Sequence, residues 1–215
     1  MLHFHIITIF PETIQAYLGE SILKRAIESK KIAVSFYNPK DFAEPAKNPD
    51  LSEPIDDKPY GGGPGMVLKA EPFLKAIQKA LKNSKNKNPK IIYFSPRGKM
   101  FNTKMAKEIA EKTKEIKSEN KILHFLKKGF LSPEKMTDII LVSGRYEGID
   151  SRVSEIYKGE EISVGDFVLT GGELPAMILI DSISRQLPGV LGNFDSREET
   201  RISAGKYYTR PENIS

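Results

Sequence analysis

Two short apolar runs that end directly in glycine-bearing turns constrain this chain more than any other feature. Ile91-Ile92-Tyr93-Phe94 leads into Ser95-Pro96-Arg97-Gly98, and Ile139-Ile140-Leu141-Val142-Ser143 leads into Gly144-Arg145-Tyr146-Glu147-Gly148. Neither run alternates apolar with polar residues, so each strand needs cover on both faces. Helical periodicity separates the strand-like runs. Ile14, Leu18, Ile22, Leu23 and Ile27 predict a helix from Glu12 to about Ser29, and Glu71 to Leu81 predicts another. Asn102 or Thr103 can cap a helix reaching about Glu115. Met177, Ile178, Ile180 and Ile183 set a helix from about Pro175 to Arg185, with proline near its start. Ile6 to Phe10 and Ile32 to Tyr37 read as further strands. The alternation implies an α/β fold, a mostly parallel sheet with helices on both faces. Ligands of such sheets bind beyond the carboxyl ends of the strands, so the glycine turns are candidate sites.

The densest glycine cluster is Tyr60-Gly61-Gly62-Gly63-Pro64-Gly65-Met66-Val67, after a polar loop from Asn38 to Pro59. It lacks G-x-G-x-x-G spacing, and no glycine loop supplies the Gly-Lys-Ser/Thr of a P-loop, which disfavours ATP, GTP and NAD. The 215 residues permit one large domain, or a domain with a small appendage. The chain has no Cys, which excludes disulfides, thiolate zinc sites and cysteine nucleophiles and fits a reducing compartment. No apolar run approaches the ~20 residues of a membrane span. The opening stretch lacks a basic leader and a small-residue cleavage site, so a cytoplasmic protein is expected. A net charge of +5 favours phosphate-rich partners, although charge alone is weak evidence. His3 and His5 lie on one side of a strand. A metal would need a third ligand, so structural histidines are expected and no metal ligand is assigned.

Four long motifs occur in order. They are Ile6-Ile7-Thr8-Ile9-Phe10-Pro11-Glu12, Pro59-Tyr60-Gly61-Gly62-Gly63-Pro64-Gly65-Met66, Gly144-Arg145-Tyr146-Glu147-Gly148-Ile149-Asp150, and the stretch from Ser163 through Thr170-Gly171-Gly172-Glu173-Leu174-Pro175-Ala176. Together they resemble the bacterial tRNA (guanine-N1)-methyltransferase family (TrmD-like) of the SPOUT superfamily. Ser182-Ile183-Ser184-Arg185 and Pro188-Gly189-Val190-Leu191-Gly192 continue the match, which covers residues 1 to about 193.

That resemblance implies a C-terminal trefoil knot whose loops hold S-adenosylmethionine, and a homodimer whose site is shared between subunits. The matching cofactor positions are Tyr93, Phe94, Ser95, Pro96 and Gly98, then Gly144, Tyr146 and Glu147, then Ser163, Val164, Gly165, Asp166, Phe167, Val168, Leu169, Gly171, Gly172 and Pro175. Phe94, Val164, Phe167 and Leu169 beside glycine amides could form the apolar slot that adenine needs. The implied reaction is methylation of N1 of the guanosine 3′ of the tRNA anticodon. It requires alignment, a carboxylate base for the N1 proton and a cation for charge on O6. Arg185 matches the family's catalytic arginine. Aligning Glu198-Glu199-Thr200 on the family's Glu-Asp-Ser puts Glu199 at the base, whereas a gapless alignment puts Thr200 there; Glu198 and Asp195 are the other candidates. Asp166 and Glu173 could help hold Mg²⁺, although loop carboxylates more often cap backbone amides. Residues 194–215 are expected to be a linker and the start of a truncated C-terminal tRNA-binding domain. The lysine-rich insertion from Lys112 to Lys135 reads as a solvated face. The alternatives are a SPOUT methyltransferase acting on ribosomal RNA, and a catalytically impaired protein that binds cofactor and RNA.

Overall fold

A computed structural model describes residues 1–44, 54–113, 138–192 and 209–210. Five strands form one sheet: β1 (Leu2–Ile7), β2 (Ile32–Tyr37), β5 (Lys90–Met100), β6 (Asp138–Val142) and β7 (Glu160–Ser163). Their order is β2-β1-β6-β5-β7, and every pairing is parallel. A two-stranded antiparallel ribbon, β3 (Asp56–Asp57) with β4 (Val67–Leu68), brackets the glycine cluster. The helices are α1 (Pro11–Leu18), α2 (Ser21–Glu28), α3 (Ala70–Asn83), α4 (Thr103–Lys112), α5 (Arg152–Ile156) and α6 (Glu173–Ser184). None of them is long and apolar enough to cross a membrane.

The absence of alternation has the predicted cause. Ile139 and Leu141 point to one face of β6 with Phe4, Ile6 and Ile92, beneath residues of α1, α2, α4 and α6. Ile140 and Val142 point to the other with Ile7, Tyr37 and Ile91, beneath α3 and the α5 residue Val153. Fully burying each such Ile, Leu or Phe is worth roughly 1.5–3 kcal/mol, so both faces hold the sheet in register.

Three local expectations change, the first being that the strand read from Ile6 to Phe10 is Leu2–Ile7. The helix predicted from Glu12 to Ser29 is two helices. The Gly19 N–H closes the first on the Gln15 carbonyl at 2.9 Å. Ser21 then takes φ 50°, which a continuous right-handed helix cannot contain. The strand read as ending at Phe94 instead continues to Met100. Phe94 and Lys99 both lie opposite Ile162, so Ser95 to Gly98 bulge out of a ladder that resumes afterwards. Pro96 has no N–H to give that ladder. At Gly98 a Cβ would lie 2.5 Å from the Ile162 nitrogen, so a side chain there would collide with β7. Asn102 caps α4 as expected, its side chain accepting the Met105 N–H at 3.0 Å.

Candidate functional site

The carboxyl ends of β5, β6 and β7 open on a cleft of about 410 Å³. Of the cofactor positions read from sequence, Tyr93, Phe94, Ser95, Pro96, Gly144, Tyr146, Glu147, Ser163, Val164, Phe167, Val168, Leu169, Gly171, Gly172 and Pro175 line it. Gly98, Gly165 and Asp166 do not. Gly98 instead permits the close approach to β7, and Gly165 closes a small turn in which Ser163 Oγ donates to its carbonyl at 2.9 Å. Asp166 is exposed. The lining also includes Arg145, Gly148 to Ser151, Val153, Ser154, Glu161, Ile162 and Thr170. Most of these neighbour the glycine motifs, but Glu161 and Ile162 belong to β7, a four-residue strand with half its positions exposed.

Backbone contacts assemble the cleft. Gly172 N–H donates to the Gly144 carbonyl at 2.9 Å, and a Cβ on Gly172 would stand 2.7 Å from Ser143 Cα. Ser143 Oγ donates to the Gly172 carbonyl at 3.1 Å. The Glu147 N–H donates to the Met66 carbonyl at 3.0 Å, which ties the glycine cluster to the second loop. Tyr146 adopts φ 59°, an uncommon position for a bulky residue, and its ring stays exposed at the mouth. Beneath the floor, the Tyr93 hydroxyl donates to the Tyr157 carbonyl at 2.6 Å. Burial, and then the nearby Tyr157, raise the Tyr93 pKa to about 12.

A buried acid secures the start of α6. Glu173 is 2% exposed; its Oε1 accepts the Thr8 hydroxyl at 2.8 Å, and its Oε2 lies 2.9 Å from Arg145 Nε. That last pair is close but not aligned as a directed hydrogen bond. The Arg145 guanidinium also lies 4.9 Å from the centre of the Phe10 ring. Glu173 therefore fastens the end of β1 to the second and third loops, whereas Asp166 is exposed.

Arg185 does not line the cleft. It follows the last residue of α6, roughly 20 Å along the axis from Gly172 at 1.5 Å per residue. Glu198, Glu199, Asp195 and positions 114–135 of the lysine-rich insertion lie outside the described residues. At the opposite end of the sheet the fold supplies what sequence could not. Asp138 joins His3 and His5, with one ligand atom from each lying within 4.8 Å of the others.

The cleft's size falls in the roughly 300–1,000 Å³ range of small-molecule sites. Its lining sets the side chains of Phe94, Val164, Phe167 and Leu169 beside Gly144, Gly171 and Gly172.

The chain matches the family described as tRNA (Guanine-1)-methyltransferase TrmD over residues 2–117 and 124–215. It is 41% identical to a tRNA (guanine-N(1)-)-methyltransferase of Pseudoalteromonas atlantica, over 99% of this chain and 70% of that protein. It is 40% identical to the Clostridioides difficile protein of the same name, over 99% and 81%. The crystal structure of tRNA (m1G37) methyltransferase from Aquifex aeolicus superposes with a TM-score of 0.72 at 35% identity, covering 99% of this chain and 78% of that one.

Proposed function

Because the chain belongs to the tRNA (guanine-1)-methyltransferase family, we propose that it transfers a methyl group from S-adenosylmethionine to N1 of the guanosine immediately 3′ of the anticodon in tRNA. The observation that carries this reading is the convergence of three loops, after Tyr93, Val142 and Ser163, on one cleft. Bound there, the donor supplies a methyl already activated on sulfur. The chain's work is then alignment, charge stabilisation and removal of a proton.

Phe94, Val164, Phe167 and Leu169 hold the adenine, and the glycines of the second and third loops admit the rest of the donor against main-chain atoms. Arg185 stabilises negative charge on guanine O6 as the N1 proton leaves. Glu199 accepts that proton, with Glu198 and Asp195 as the other candidates for the role. Lysines and arginines of this basic chain position the RNA through its phosphates, and the target base leaves its stack to present N1.

Arg185 requires a second copy. Leu174 and Ile178 are exposed, at 51% and 43%, and the steps of four and eleven residues from Leu174 put Ile178 and Arg185 on one stripe of α6. A partner that covers this apolar stripe also covers Arg185, so the reading is a homodimer in which each arginine serves the other subunit's cleft. The SPOUT-type trefoil is supported by the path of the chain. From edge strand β7 it turns back so that Gly172 meets Ser143 at the end of β6, and α6 packs beside α1 and α4. Work on tRNA fits a cytoplasmic protein, and residues 194–215 are assigned to gripping the RNA.

The test is transfer of labelled methyl from S-adenosylmethionine to unmodified tRNA transcripts. Incorporation is expected with the wild-type transcript and not when the guanosine 3′ of the anticodon is replaced. Equal labelling of both transcripts, or of ribosomal RNA alone, overturns the assignment. For the shared site, mixing Arg185→Ala with Phe167→Asp, each inactive alone, should restore activity through hybrid dimers.

A further inference from the structure

The end of the sheet away from the cleft carries a second chemical constellation, independent of the methyl-transfer reading. His3 and His5 lie on one face of β1, and Asp138 begins β6 directly beside them, with His3 opposite Asp138 in the ladder. His5 Nε2 is 2.9 Å and His3 Nδ1 is 3.6 Å from the same oxygen, Asp138 Oδ1. The two imidazole rings lie 3.9 Å apart, tilted by 35°. His5 and Asp138 are fully buried, whereas the His3 side chain is 19% exposed.

We propose that His3, His5 and Asp138 form a binding site for a divalent transition ion of the zinc type.

Four features support it. The first is spacing. Zinc bonds of about 2.0–2.2 Å at tetrahedral angles separate neighbouring ligand atoms by about 3.3 Å. The two separations from Asp138 Oδ1, 2.9 and 3.6 Å, stand on either side of that value.

The second is the outer shell. A metal-binding histidine is oriented through its other ring nitrogen. Here both outer nitrogens are already engaged, His3 Nε2 with Ser35 Oγ at 2.8 Å and His5 Nδ1 with the Tyr37 hydroxyl at 2.9 Å. Tyr37 is itself held by Asn83 Nδ2 at 3.2 Å. The inner nitrogens are thereby the pair turned toward the carboxylate.

The third is ligand chemistry. Two imidazoles and one carboxylate suit zinc and its neighbours, whereas magnesium and calcium prefer oxygen. Three protein ligands leave a fourth position for water, reached past the partly exposed His3.

The fourth is charge. Asp138 supplies the one anionic ligand beside two imidazoles, and its Oδ1 faces both inner nitrogens. The exposed Lys85 opposes a cation, and the Asp138 carboxylate opposes Lys85. In the metal-free protein His5 and Asp138 share a hydrogen bond, and the ion displaces that proton. The cluster is remote from the cleft, so its role is to fasten β1 to β6 and, through Ser35 and Tyr37, to β2.

The experiment is calorimetric titration of the metal-free full chain with Zn²⁺, repeated with Co²⁺ while following its visible absorption. One ion per chain, a tetrahedral cobalt spectrum and a raised melting temperature are expected. Ser35→Ala should weaken binding roughly 10- to 100-fold. His3→Ala, at a partly exposed position, should weaken it further while leaving circular dichroism and methyl transfer unchanged. Asp138→Asn should do the same; should that buried change impair folding, His3→Ala still decides the matter. No saturable uptake of Zn²⁺, or uptake that survives His3→Ala unchanged, overturns the proposal.

Discussion

The two ends of the sheet are built from different materials. At the carboxyl end, loops meet through main-chain atoms. Gly98 rests on β7, Gly172 on Ser143, and the Gly172 N–H on the Gly144 carbonyl. At the amino end, side chains meet side chains: His3 hydrogen-bonds Ser35, while His5 hydrogen-bonds Asp138 and Tyr37, which Asn83 also holds. A site made of backbone tolerates almost no added atoms but needs few particular side chains. A site made of side chains inverts that sensitivity. One end is therefore broken by adding a methyl group, and the other by removing a polar atom.

The strongest challenge to this contrast is Arg185→Ala. Arg185 lies far from its own chain's cleft, yet its loss should lower kcat by roughly 10²–10³-fold, as for a group that stabilises developing charge. Donor affinity, read by calorimetry, should stay unchanged; a matching fall in donor affinity would show that Arg185 acts through the cleft of its own chain. Gly172→Ala comes next. The added methyl meets Ser143 and should cost about 1–3 kcal/mol in denaturant titration, together with most of the donor binding. Tyr37→Phe addresses the other end. It strips a buried hydroxyl from His5 and Asn83 and should cost about 1–3 kcal/mol, with methyl transfer by the folded protein intact.

A smaller effect is confined to alkaline conditions. Tyr93 keeps its proton in the folded state up to about pH 12, whereas an unfolded tyrosine loses it near pH 10. Its contribution is therefore complete below pH 10 and lost as pH rises through about 12. Tyr17, raised to about 12 chiefly by its hydrogen bond to Asp181, shares the window, so Tyr93→Phe should flatten the alkaline stability profile only in part. Least of all, Gly61→Ala should shift stability by under ~0.5 kcal/mol, because a Cβ there meets nothing within 4 Å. A large loss at Gly61 would mean that the backbone rule extends beyond the strand ends.

Sequence was most informative where a local pattern has one physical solution. Unalternating runs such as Ile139 to Val142 require cover on both faces, and the two clusters of buried side chains provide it. Glycine turns directly after such runs placed two of the cleft's loops, and the family resemblance supplied the third. Legibility failed where the deciding contact is distant in the chain. Glu160 and Glu161 in β7 look like surface residues, and only pairing with β5 makes that segment a strand. Thr8 finds Glu173 across 165 positions, and His5 finds Asp138 across 133. The Gly19 to Ser21 break was hidden because the apolar spacing runs on through it.

The pairing of β1 with both β2 and β6 bears on how the polypeptide matures during synthesis. The flank of β1 that meets β2 finds its partner about 30 residues later, but the other flank waits for Asp138 to Val142. Through most of translation, then, one edge of the first strand is bare and can recruit a stray segment of another nascent molecule. The histidines and tyrosine near that edge make it poorer bait than a purely aliphatic ribbon. Slowing the ribosome before Asp138 should lengthen that exposure and raise the fraction of product lost to aggregation.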